Sequence, residues 1–192
     1  MEGLEFVKNG DTGGIGLGYN VLNINAINTH KEITPLYSKA YSYEMGALSS
    51  NNEIKKAVRE VKKHLNDKGC WVFDRGADTG ILKDFFISEC SQIIIRLKRN
   101  TKLFHKDQVY KASQLAGKIS FQVVETVTKI KKNKPVLRQY ELGALPINYT
   151  IKGVTQSLWL VVSRDKNHGG LCYLLVKSKL NTAIEVAKWA FN

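Results

Sequence analysis

The sequence predicts an α/β protein with a β-rich insertion, and three stretches carry that expectation. Residues 70–98 read as strand, helix, strand. Residues 100–157 lose the helical period and break into short β-rich runs. Residues 158–192 return to two apolar strands and a closing helix. The domain organisation that follows is a core over 1–99, an insertion over 100–157 and a return to the core over 158–192.

The elements can be justified in order. Gly10 to Gly18 is glycine-rich and reads as a turn. It fits neither G-x-G-x-x-G nor G-x-x-x-x-G-K, so it is no phosphate loop. From Leu22 to Ile27 apolar and polar residues alternate, the mark of a half-buried strand. A turn at Thr29-His30 leads to a second strand over 32–38, where Pro35 suits an edge. Ser49-Ser50-Asn51-Asn52 offers caps for a helix on which Ile54, Ala57, Val58, Val61 and Leu65 recur at spacings of three and four. Gly69 is the expected stop. Lys55, Lys56, Arg59, Lys62 and Lys63 decorate the outer face and read as a solvated helix surface.

Cys70-Trp71-Val72-Phe73 is a continuous apolar run, expected of a strand buried on both faces. It ends in Asp74-Arg75-Gly76. Asp78 is the expected cap of a helix over 79–89, and 92–98 forms the next strand, parallel to the first. In the insertion the β-rich runs are 119–127, 136–141 and 147–151, with Lys131-Lys132-Asn133-Lys134-Pro135 as a turn. His168-Gly169-Gly170 joins the strands 158–163 and 171–176. Asn181 is the expected cap of the last helix, with Ile184, Ala187 and Phe191 on one stripe.

Lys and Arg number 29 and Asp and Glu 17, for a formal charge of +12. A domain this basic meets a polyanion, and nucleic acid is the first candidate. The three cysteines, Cys70, Cys90 and Cys172, form no C-x-x-C, which excludes a zinc ribbon and a thioredoxin-type site and predicts reduced thiols. No basic leader precedes an apolar segment, and no apolar run approaches the ~18 residues of a span, so a soluble protein without a membrane partner is expected.

Asp74 is the outstanding polar residue, because α/β sheets place ligands at the carboxyl ends of their strands. Arg75 beside it either pairs with it or faces a phosphate. Arg96, Lys98, Arg99, Lys102 and Lys106 form a cluster with no acid between them, and Lys129, Lys131, Lys132, Lys134 and Arg138 form another. Both read as phosphate contacts. A non-catalytic basic nucleic-acid-binding module is consistent with these residues, as the alternative to an enzyme acting on DNA.

Trp71-Val72-Phe73-Asp74-Arg75-Gly76-Ala77-Asp78, a helix, and then Ile93-Ile94-Ile95-Arg96-Leu97-Lys98 resemble the second-aspartate region of bacterial DDE transposases of the insertion-sequence-four group. Upstream, Gly18-Tyr19, Pro35-Leu36-Tyr37-Ser38 and Tyr41-Ser42 resemble the strands after the family's first aspartate. Downstream, Trp159-Leu160-Val161-Val162, Tyr173 to Ser178 and the 183–191 helix resemble the approach to its final acid. The resemblance covers nearly the whole chain in order.

It implies a ribonuclease-H-like mixed sheet with a β-strand insertion, and DNA transposition by metal-dependent phosphoryl transfer. It implies Asp74 as the second catalytic acid and a ligand of magnesium (Mg2+), with Arg75, Arg96, Lys98, Arg99 and Lys102 on DNA. Its partners would be DNA and a further transposase chain, with no small-molecule substrate, in a bacterial cytoplasm at the nucleoid. The family's first aspartate would precede Met1 and its last acid would follow Asn192. The expectation is therefore a fragment with one of three acids, inactive alone, whose central first strand is missing. The strands at 19–27 and 70–73 would then pair directly, recruit residues 4–7 or pair with another chain.

Overall fold

The computed structural model describes residues 3–8, 13–66, 68–131 and 134–192. Gly10 and Asp11 of the glycine-rich stretch, and Lys132 and Asn133 of the basic turn, lie outside the described residues. The chain forms two compact units, residues 1–68 and 69–192.

In the first unit β1 (Glu5–Lys8) pairs antiparallel with β2 (Ile15–Gly18). The end of the glycine-rich stretch is therefore strand rather than turn. Gly18 sits opposite Glu5, and a Cβ on it would come within 3.0 Å of Val7. The expected hairpin is present as β3 (Asn20–Ile27) and β4 (Ile33–Tyr41), with β4 running three residues past Ser38. The Asn28 side chain closes its turn by accepting from the His30 and Glu32 amides at 2.9 and 3.0 Å.

Helix α1 (Ser50–Leu65) starts where the sequence says. The Ser49 hydroxyl accepts from the Asn52 amide at 3.2 Å. It buries Ala57, Val58 and Val61. It stops before Gly69, because Asn66 takes the left-handed cap at φ 48° and donates its N–H to the Lys62 carbonyl. Asparagine tolerates that conformation better than other residues with a side chain.

The second unit opens with β5 (Trp71–Phe73), a 3₁₀ turn over Arg75–Ala77, α2 (Gly80–Glu89) and β6 (Ile93–Leu97). β5 and β6 are parallel, in register Val72 to Ile94, as expected of a strand–helix–strand unit. β7 (Lys102–His105) and β8 (Gln108–Lys111) follow as a hairpin. The short helix α3 (Ala112–Ala116) was not expected, since five residues hold little more than one turn and show no period.

β9 (Val123–Lys131), β10 (Lys134–Ile151), β11 (Val154–Asp165), β12 (Leu171–Lys177) and α4 (Ala183–Phe191) complete the unit. The expected strands at 136–141 and 147–151 are one strand, β10. Gly143 lies inside it because Ile119 and Ser120 cross there. A Cβ on Gly143 would clash with the Ile119 side chain and stand 2.6 Å from the Ser120 carbonyl oxygen. The cap of α4 is Thr182, not Asn181; its hydroxyl accepts from the Glu185 amide at 3.3 Å.

The result is a mixed α/β protein built on a mostly antiparallel eight-stranded sheet. The strand order is β5-β6-β12-β11-β10-β7-β8, with β9 on β10, and only β5–β6 is parallel. Side chains alternate across it. One face carries Ile94, Val176, Val161 and Leu142 against Val186 and Ala187 of α4. The other carries Ile93, Ile95 and Leu97, and there Phe73 stacks on Phe86 of α2 with ring centroids 3.7 Å apart.

Among the described residues β5 pairs with β6 alone, so it is an edge strand. Trp71 is buried but Val72 is 69% exposed, which corrects the expectation of burial on both faces. Among the described residues β3 likewise pairs with β4 alone, and residues 5–8 pair with β2 rather than with either strand expected to lack a neighbour.

Candidate nucleic-acid interface

The carboxyl end of β5 is shaped by a local carboxylate. The Asp74 side chain accepts from the Gly76 amide at 2.8 Å and caps the 3₁₀ turn. Glycine suits the next-but-one position, since a Cβ there would stand 3.0 Å from the Asp74 oxygen. The Ala77 and Asp78 amides then donate to the carbonyls of Asp74 and Arg75, both at 3.2 Å. Asp74, Arg75 and Gly76 are all solvent-exposed. Asp74 thus spends its carboxylate on the turn rather than on Arg75, which leaves the Arg75 guanidinium without an ion pair among the described residues.

Arg75 faces an open cleft of about 480 Å³. Arg96 and Leu97 of β6 and the following Lys98 and Arg99 form a second wall, and Leu171, Cys172 and Tyr173 at the start of β12 form a third. The first two walls meet because β5 and β6 run parallel, with Phe73 opposite Ile95, and the third joins them because β12 runs antiparallel to β6, with Tyr173 opposite Leu97 and Leu174 opposite Arg96. Four of the five basic residues assigned to DNA from the sequence are therefore gathered in one place. Among the described residues the lining holds no carboxylate. Lys102 stands elsewhere, exposed on β7 opposite Lys111.

Cations crowded at a surface repel one another and are relieved by an anion, so such a cleft concentrates phosphate. Its apolar third wall was not legible as part of a site, because which strand neighbours β6 is a matter of topology. Cys172 is a free thiol, as are Cys70 and Cys90. Burial, with a smaller contribution from Cys90, pushes the Cys70 thiol up to about 11, so it stays protonated at neutral pH.

Asp78, the expected helix cap, has a different role. Thr79 caps α2, its hydroxyl accepting from the Leu82 amide at 3.3 Å. The Asp78 carboxylate is buried and accepts from Lys83 Nζ at 2.6 Å, from the Lys98 amide at 2.7 Å and from the Thr101 hydroxyl. Burial pushes this carboxyl up, but the three donors outweigh burial and hold it below the usual carboxylate range. Sequence reasoning missed the arrangement because the Lys98 and Thr101 donors lie 20 and 23 residues downstream.

Asp74 could offer a hard oxygen to a divalent cation. Among the described residues no group of three His, Cys, Asp or Glu side chains stands together as an ion site. No helix among them is long and apolar enough to cross a membrane. Compared with known proteins, the chain matches no protein-family model and no curated sequence.

Proposed function

We propose that the chain contacts nucleic-acid phosphates through this cleft, as part of a DNA transposase of the DDE type. One observation carries the reading. An Asp-Arg-Gly turn at the carboxyl end of a parallel strand pair opens onto four cations, with no acid in the lining. That edge is where α/β sheets bind their ligands. The parallel β5–α2–β6 unit beside antiparallel strands supports a ribonuclease-H-like arrangement as the finer description of the sheet.

In this reading the partner is DNA, and a second transposase chain is a further one. Asp74 would be one oxygen ligand for magnesium, whose chemistry when bound would be activation of an attacking oxygen. One carboxylate does not make a two-ion site, so phosphate contact is the contribution argued for this chain's own residues. Transposition places the protein in a bacterial cytoplasm, at the nucleoid.

The test is a fluorescence-anisotropy titration of short labelled duplexes of unrelated sequence across a salt series. Log affinity should fall linearly with log salt, by about 0.9 per phosphate contact, with the same slope for every sequence. Arg75→Ala/Arg99→Ala should weaken all duplexes alike. Binding indifferent to salt and to those substitutions would overturn phosphate contact. Binding of the expected kind, with no association of the chain with an added DDE transposase, would overturn the transposase part and leave a nucleic-acid-binding module.

A further inference from the structure

Arg75 and Lys98–Arg99 reach the cleft from segments more than twenty residues apart, yet one residue is bonded to both. The Asp78 amide donates to the Arg75 carbonyl at 3.2 Å, and its carboxylate accepts from the Lys98 amide at 2.7 Å and from Thr101. The Lys83 ammonium, buried at 9% side-chain exposure, neutralises it at 2.6 Å. The segment beyond is pinned again, by the Thr101 amide to the Lys98 carbonyl at 3.1 Å and by the Ser113 amide to the Arg99 carbonyl at 3.0 Å. These contacts hold main chain, while the Lys98 and Arg99 side chains stay exposed.

We propose that Asp78 is a positioning residue for polyanion binding: it fixes the Arg75 wall and the Lys98–Arg99 wall to each other, so that both engage phosphates at once. The inference rests on the reading of the cleft as a phosphate site. Its logic is preorganisation. Cations on a fixed main chain lose less freedom on binding than cations on a mobile one. The buried pair carries no net charge, so Asp78 does this without cancelling the field of the cleft.

The pair offers a clean test, since Asp78 and Lys83 can be neutralised together with no change in net charge. Asp78→Ala/Lys83→Met removes the acceptor for the Lys98 amide. Asp78→Asn/Lys83→Met restores an acceptor oxygen at that place. Duplex binding is measured by anisotropy across salt, with circular dichroism to show that each variant is folded. The alanine pair should bind about tenfold more weakly at ~0.1 M salt, with the salt slope reduced by roughly 0.9–1.8, one to two phosphate contacts, although no cleft cation is lost. The asparagine pair should recover most of the wild-type slope.

Wild-type slope in a folded alanine pair would overturn the proposal, and so would equal loss in both pairs. If the alanine pair does not fold, Thr101→Val gives the same reading at smaller amplitude, about twofold weaker binding with a lower slope, and no change overturns the proposal. Failure of the underlying reading looks different: Arg75→Ala/Arg99→Ala then binds as wild type does, or wild type does not bind at all.

Discussion

Two stretches of the chain are equally rich in cations and differ in what surrounds them. Helix α1 carries Lys55, Lys56, Arg59, Lys62 and Lys63, and the stretch from the end of β6 carries Arg96, Lys98, Arg99, Lys102 and Lys106. On the helix the charge is interleaved with acids. Lys56 pairs with the buried Glu53 at 2.8 Å, Glu53 also accepts from Lys39 at 2.8 Å, and Lys63 pairs with Glu60 at 2.8 Å. Beyond β6 no acid intervenes before Asp107, and the Asp78 carboxylate binds the main chain of Lys98. Local density of lysine and arginine thus says little about whether a surface carries uncompensated charge. What matters is whether the neutralising groups are already supplied from within the fold.

The sharpest way to break this contrast is to remove equal charge from each place. Arg96→Glu/Arg99→Glu and Lys56→Glu/Lys63→Glu change the net charge by the same amount. The first should weaken duplex binding by about 10- to 100-fold at ~0.1 M salt and lower the salt slope by roughly 1.8, while the second stays within about threefold of wild type. Equal losses would mean that binding follows net charge and not its placement.

A second measurement asks whether the helix lysines are indeed structural. Hydrogen bonds from Lys39 and Lys56 hold the Glu53 carboxyl below its usual range, against the opposing effect of burial. A carboxyl whose folded pKa is depressed contributes stability above its unfolded pKa, about 4.3 for glutamate, and loses it as pH falls from there through the folded value. Denaturant melts of wild type should therefore lose stability below that pH. Glu53→Gln should cost about 1 kcal/mol at neutral pH and flatten that part of the acid loss. An unchanged pH profile would remove Glu53 from the account.

The smallest effect is expected at the exposed pair. Lys63→Ala should leave the denaturant melt unshifted, because an ion pair held in water gains little, and should leave duplex affinity unaltered. A loss of binding there would draw α1 into the interface and blur the contrast.

Local chemistry was legible in the sequence, and partners distant along the chain were not. The apolar periods marked α1, β5, β6, β11 and β12, and Ser49 marked the start of α1. Asp74 and Arg75 could be placed at the carboxyl end of β5 because they close an apolar run. By contrast Asp78 and Thr79 are adjacent polar residues of equal merit as caps, and only Lys98 and Thr101 decide that Asp78 is occupied elsewhere. The same holds for β10. Leu142-Gly143-Ala144-Leu145-Pro146 looks like a break, yet β11 pairs with the strand throughout, Gly143 opposite Val162 and Pro146 opposite Trp159. Four cleft cations were nameable in advance and converge through the β5–β6 pair, but the apolar third wall depends on β12 lying beside β6.

Gly143 has a further consequence. At that one point of β10 the neighbouring segment lies where any side chain would have to be. An alanine, serine or valine at this position demands that residues 119–120 move as well, so the path of that segment and the absence of a Cβ at residue 143 stand or fall together.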